Sequence, residues 1–256
     1  MHMRTNRLAL AAAAIALATA MVPGTAQANH SWNNYHWART ANPFTLKLGD
    51  NVDSNWDSYL ATTSSDWTQS TVLNTTIVPG STTGKRCAAT TGRVEVCNAA
   101  YGQRGWLGIA SINISGSHIT QGTVKVNDTY YSTAKYNTPA WRNLVMCQEV
   151  GHTLGLDHQD ENFDNTPLGT CMDYSNDPVP NQHPNQHDYN QLVAIYSHLD
   201  STTTVEQAAP TGSGRATGNS PKSWGDQVEG SRARGHSTYV RNDGNGSYII
   251  TFVTWA

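Results

Sequence analysis

Charge is scarce in this sequence: 14% of its 256 residues are Asp, Glu, Lys or Arg. The 16 basic residues are outnumbered by 19 acidic ones, and removing Arg4 and Arg7 with the leader described next leaves 14 against 19, a net charge of −5 with His neutral. Such a chain lacks the positive surplus that neutralises phosphates, so no nucleic-acid partner is expected. Long apolar runs are also missing. The one candidate, Leu8 to Val22, falls short of the roughly 20 residues that span a bilayer, and no membrane association is expected. It follows Arg4 and Arg7 and leads to Thr25-Ala26-Gln27-Ala28, a small-x-small ending, so residues 1–28 read as a cleaved signal peptide of bacterial, Ala-rich type. The remaining chain is expected to be secreted and extracellular. No Cys follows the cleavage site to carry a lipid anchor. Cysteine itself is sparse but even. Four lie in the exported part, and in an oxidising compartment four cysteines allow three pairings.

What is present is concentrated in one stretch, Gln148-Glu149-Val150-Gly151-His152-Thr153-Leu154-Gly155-Leu156-Asp157-His158. On a helix, residues four apart share a face, so Gln148 and His152 point the same way, and Glu149 lies about 100° around from them. Gly155 can adopt a left-handed conformation that ends the helix. The chain then turns back and brings His158 to the same place. Two helical positions, a glycine turn and a third imidazole make a tripod with one side open, which is the arrangement of a catalytic zinc site. A carboxylate beside the open side can take a proton from metal-bound water.

The segment resembles the metzincin signature, H-E-x-x-H-x-x-G-x-x-H followed by a Met-containing turn. Glu149, His152, Gly155 and His158 match it, Met172 in Cys171-Met172-Asp173-Tyr174 stands where the Met-turn belongs, and Tyr174 follows two residues later. The resemblance spans about Pro43 to Leu199. It implies an α/β (α+β) zincin-like domain with a twisted, mostly parallel sheet, an active-site helix and a Met-turn. It also implies a zinc metalloendopeptidase with polypeptide substrates that pair with a sheet edge lining the cleft. The expected roles are Glu149 as general base, Tyr174 as a helper at the oxyanion, and Gln148, His152 and His158 as metal ligands. Gln148 departs from the pattern, since a carboxamide oxygen suits zinc less well than imidazole. Three outcomes are open for it: weak ligation, replacement by another group such as Tyr174 or water, or loss of the metal. A catalytically inactive, secreted binding protein on the same scaffold is the alternative function. The favoured pairing is Cys87 with Cys97, which would clamp a loop rich in Gly and Thr, and Cys147 with Cys171, which the resemblance supports because it ties the motif helix to the Met-turn. A Cys147 thiolate standing in for the missing ligand is the competing idea.

Other segments place the motif. Phe44 to Leu48, Thr76 to Val78, Val94 to Val96 and Trp106 to Ile112 read as strands, and Ile119 to Tyr131 as a strand at the sheet edge. Trp56 to Leu73 reads as a helix capped by Asp53 or Ser54. The motif helix should start at Thr138 as cap with Pro139 in the first position. The Asp/Asn-rich loop with Asp160, Glu161, Asp164 and Asn165 offers hard oxygens for a calcium ion, or is simply a solvated loop, since EF-hand spacing is absent. His183 and His187 are alternative ligands or solvent-facing residues, and a last helix runs from His187 to Leu199. Residues 29–200 thus form the catalytic-type domain, expected to be monomeric. Residues 201–230 read as a flexible linker, and 231–256 as a hairpin tail that needs something to dock on, because a lone hairpin is marginal in water. No cysteine-bearing prosegment precedes the first strand, so latency of the cysteine-switch kind is not expected.

Overall fold

The computed structural model describes residues 30–206 and 217–256. The leader expected at 1–28 and the middle of the expected linker lie outside the described residues. The elements run β1 (His36–Trp37), β2 (Phe44–Asn51), α1 (Asp57–Trp67), β3 (Leu73–Pro79), β4 (Val94–Ala99), β5 (Trp106–Ser115), β6 (His118–Asn127), α2 (Asp128–Tyr131), α3 (Pro139–Thr153), α4 (Gln186–Ile195), β7 (Asp226–Ser231), β8 (His236–Gly244) and β9 (Ser247–Trp255). The fold is mixed α/β. Among the described residues no helix is long and apolar enough to cross a membrane.

The strands of the described residues join one sheet in the order β3-β2-β4-β6-β5-β9-β8-β7, with β1 beside β6. The expected mostly parallel sheet is only half right. β2, β3, β4 and β6 pair in parallel, whereas β5, β7, β8 and β9 are antiparallel to their neighbours. Hairpin connections allow antiparallel strands to follow one another directly, and the C-terminal strands use them. β6 is an interior strand between β4 and β5, not the edge expected from Ile119 to Tyr131, which ends instead in the short helix α2. α1 begins after Trp56 with no side-chain cap. Asp53, expected as that cap, accepts the Asn55 N–H at 2.9 Å instead.

The C-terminal part corrects the expected boundaries of linker and tail. Thr204 N–H donates to the Ala38 carbonyl and Glu206 N–H to that of Gly92, while Trp224 is fully buried and β7 starts at Asp226. The hairpin has therefore become a three-stranded extension, and β9 zips onto β5 from Trp106↔Trp255 to Ser115↔Ser247. Alternation along β5 and β9 builds two cores. Ala110, Ile112, Ile250 and Phe252 join the main core under α3, and Trp106, Ile109, Val253 and Trp255 join Trp224 and Tyr239 on the other face. The buried Lys125 donates to the Thr217 carbonyl and, at 2.9 Å, to Asn219 Oδ1, which fastens the start of this segment to β6.

Candidate functional site

α3 forms where the sequence signals put it. Thr138 Oγ1 accepts the Trp141 N–H, and Pro139, which has no N–H to leave orphaned, fills the first turn. The helix ends at Gly155, whose φ is +97°. A Cβ there would run into the Tyr35 carbonyl, so both the conformation and the close approach call for glycine. The chain turns, and the His152 Nδ1–H donates to the Leu156 carbonyl at 3.0 Å, which fixes the tautomer and leaves Nε2 as the acceptor nitrogen. The rings of His152 and His158 then lie 4.6 Å apart, edge to face.

The Met-turn packs beneath. Met172 is fully buried, and its sulfur lies against Gly151, where any side chain would collide with it. Gln159 N–H donates to the Met172 carbonyl at 2.7 Å and Tyr174 N–H to that of Asp160 at 3.2 Å, so the loop after His158 is stitched to the turn. Disulfides link Cys147 to Cys171 and Cys87 to Cys97, the favoured pairing, and the thiolate alternative for Cys147 falls away. Tyr174 is buried with its ring 5.6 Å from His158, and burial pushes its phenol well above the usual range, so the hydroxyl is neutral.

The residues expected to hold zinc do not fit it as a tripod. Gln148 Nε2 donates to the Cys171 and Asp173 carbonyls at 3.0 and 3.3 Å, and its Oε1 faces the Thr254 hydroxyl at 2.9 Å. The amide is thus a strut between α3, the Met-turn and β9 rather than a free donor. The Thr254 hydroxyl is also 2.7 Å from Glu149 Oε1. One hydroxyl proton cannot serve two acceptor oxygens. The arrangement is satisfied if a protonated Glu149 donates to Thr254 and Thr254 donates to Gln148. Burial does favour that proton: it lifts the Glu149 carboxyl to about 8, against the opposing pull of the Thr254 hydroxyl and the Ala110 N–H. Phe252, on the same face of β9, stacks flat on His152 at 4.2 Å. Burial lowers His152 to about 4 and His158 well below the usual imidazole value, so both are neutral. Glu149 is 0% and His152 1% exposed. The open side of the motif is filled by β9.

Gly108 on β5 permits this closeness, because a Cβ there would strike Glu149 and Val145. His183 and His187 stay out of the site. His183 pairs with Asp66 at 2.7 Å, and His187 stacks on His30. No group of three carboxylates from the acidic loop converges among the described residues, and Asp160 accepts from the Asn162 N–H and the Asn165 side chain. Only two groups of three or more metal-binding side chains converge among the described residues, His36/His198/Asp200 and His158/Glu161/His236. In the first, Asp200 is already paired with Arg39 at 2.8 Å.

Sequence reasoning missed Thr254, Phe252 and His236, all from the C-terminal strands. A signal was present: Trp106 to Ile112 is nearly all apolar, as suits a strand covered on both faces, and so not a free edge.

Comparison with protein-family models finds no match, and comparison with curated proteins finds none either. Among solved structures, high choriolytic enzyme 1 (HCE-1), a hatching enzyme zinc-protease from Oryzias latipes (Medaka fish), is similar over 66% of this chain and 98% of that one, at 14% identity and a TM-score of 0.36. A likeness that distant carries no functional argument.

Proposed function

We propose that this chain is a metallopeptidase-like protein of the metzincin type that is catalytically silent as folded and acts outside the cell by binding a polypeptide rather than cutting it. The observation that carries this reading is Thr254, whose hydroxyl sits between Gln148 Oε1 and Glu149 Oε1 and so occupies the carboxylate expected as general base. An extended substrate could pair with β5 only by displacing β9. Ile250, Phe252 and Val253 are at most 2% exposed, and lifting such side chains into water costs about 1.5–3 kcal/mol each. That total, roughly 5–9 kcal/mol, is on the scale of a whole domain's stability. β9 is therefore a structural strand and not a lid. What remains of a cleft is a cavity of about 200 Å³ lined by Tyr136, Trp141, Phe163, Tyr174 and Trp255 together with Gln148 and Thr254. Its size and aromatic walls suit one side chain of a partner, not an extended backbone.

A zinc-dependent endopeptidase is the second reading. It is favoured by one observation, the gathering of Glu149, His152, His158, Met172 and Tyr174 at the end of α3. One experiment decides between the two. Disulfide-intact protein saturated with zinc is incubated with unfolded casein beside its Glu149→Ala variant. No cleavage above the variant's background is expected. Cleavage that disappears in Glu149→Ala would replace the silent reading with the peptidase one.

A further inference from the structure

Two buried imidazoles meet where the C-terminal strands reach the turn after α3. The rings of His158 and His236 are 5.0 Å apart. Their side chains are 2% and 1% exposed, and among the described residues none of their four ring nitrogens reaches a partner at ordinary hydrogen-bond geometry, the Arg234 backbone being the group that lies beside the His236 ring. Buried polar atoms are rarely left so, because each one unpaired costs free energy. Four in one place point to a ligand.

Glu161 completes the group. One donor atom from each of His158, Glu161 and His236 lies within 4.8 Å of the other two. His236 Nε2 is 3.6 Å from Glu161 Oε1. That is long for a hydrogen bond but close to the separation of about 3.4 Å between two donors on one tetrahedral ion. Gly230 makes the room, since a Cβ there would run into the His236 imidazole. Asp157 and Glu229 border the group: Asp157 Oδ1 is 3.8 Å from His158 Nδ1, and Glu229 faces both Glu161 and Asp157. A cation would relieve that crowding of carboxylates.

We propose that His158, Glu161 and His236 bind one divalent first-row transition ion, zinc being the best match, which ties the C-terminal strands to the loop after α3. Two imidazoles and a carboxylate are a zinc donor set, whereas calcium takes oxygen ligands throughout. His158 is shared with the motif, but Gln148, Glu149 and His152 contribute nothing. Failure of this site and failure of the silent-enzyme reading are therefore told apart by different measurements, zinc affinity of the variants for the one and casein cleavage for the other.

The test uses the disulfide-intact chain, stripped with EDTA and titrated with Zn²⁺ alone, with metal content and melting temperature as readouts. One zinc per chain and a melting temperature that rises with free zinc are expected. His236→Phe keeps the ring that packs 4.6 Å from Tyr174 and removes both nitrogens. Its zinc-free form should melt no lower than the parent, while zinc affinity falls by more than the about 10–100-fold typical of losing an outer, supporting group. Glu161→Gln, at a side chain 33% exposed, should fold normally and lose affinity too, whereas His152→Phe should keep it. Zinc binding lost in His152→Phe but retained in the other two places the ion on the motif and overturns the proposal. So does a parent that takes up no zinc under zinc-replete conditions. Should either ring variant fail to fold, Glu161→Gln decides alone: unchanged affinity overturns the site, and weakened affinity supports it.

Discussion

A buried, proton-holding Glu149 makes the stability of this protein depend on pH in a way that one substitution can isolate. Unfolded, the carboxyl titrates at its ordinary value of 4.5, and folded it is lifted to about 8. Between those values the folded chain keeps a proton that the unfolded chain has released. Stability therefore falls as pH rises through that window, and the loss is complete above about 8. At 1.36 kcal/mol for each unit of difference, the full effect is roughly 3–5 kcal/mol. Glu149→Gln cannot ionise, yet its amide can still donate to Thr254. Urea unfolding of parent and variant in EDTA, at pH 5 and at pH 8.5, measures the difference directly. Every other titrating group is common to both proteins and cancels. The two should agree within about 1 kcal/mol at pH 5, and the variant should be more stable by roughly 3–5 kcal/mol at pH 8.5. A difference that does not change with pH, or a variant less stable at pH 8.5, would mean that Glu149 is ionised in the fold and that the Thr254 arrangement is wrong.

Thr254→Val keeps the shape of the side chain but leaves Gln148 Oε1 and Glu149 without their shared hydroxyl. Leaving both unpaired should cost about 2–4 kcal/mol, read as a drop of about 5–15 °C in melting temperature, and a loss below about 1 kcal/mol would show that the contact is not made. Replacing Cys147 and Cys171 together by Ser opens a link between residues 24 apart in sequence, for which chain entropy gives about 3 kcal/mol; denaturant unfolding that shows no loss contradicts the pairing. Gly108→Ala sets a methyl against Glu149 and Val145, and overpacking of this kind should destabilise by about 1–3 kcal/mol in the same assay. A neutral result there would mean that α3 and β5 are not so close.

The local parts of this structure were legible in the sequence, and the long-range parts were not. Thr138, Pro139 and Gly155 act on their own neighbours through a cap, a fixed φ and a left-handed turn, so the bounds of α3 could be read from residues at its ends. His158 followed from spacing, and Met172 from the resemblance to the metzincin signature. Gln148 was different. Its position suggested a metal ligand, but its role depends on Thr254, 106 residues away. Strand pairing across such a distance leaves no local signature. The Ser, Thr and Gly content of 217–230 read as linker, yet Trp224 and Lys125 anchor that stretch through contacts with distant strands. Likewise, His236 in a sequence means little until a fold brings it beside His158.

The most direct measurement is amide hydrogen exchange in β9, from Ile249 to Thr254, in the native protein. If β9 is a permanent strand that plugs the motif, these amides exchange only through global unfolding, with protection equal to that of β5 and β6. Exchange through an opening about 2–3 kcal/mol or more below the global value would make β9 a lid, and a site that opens is not a silent one.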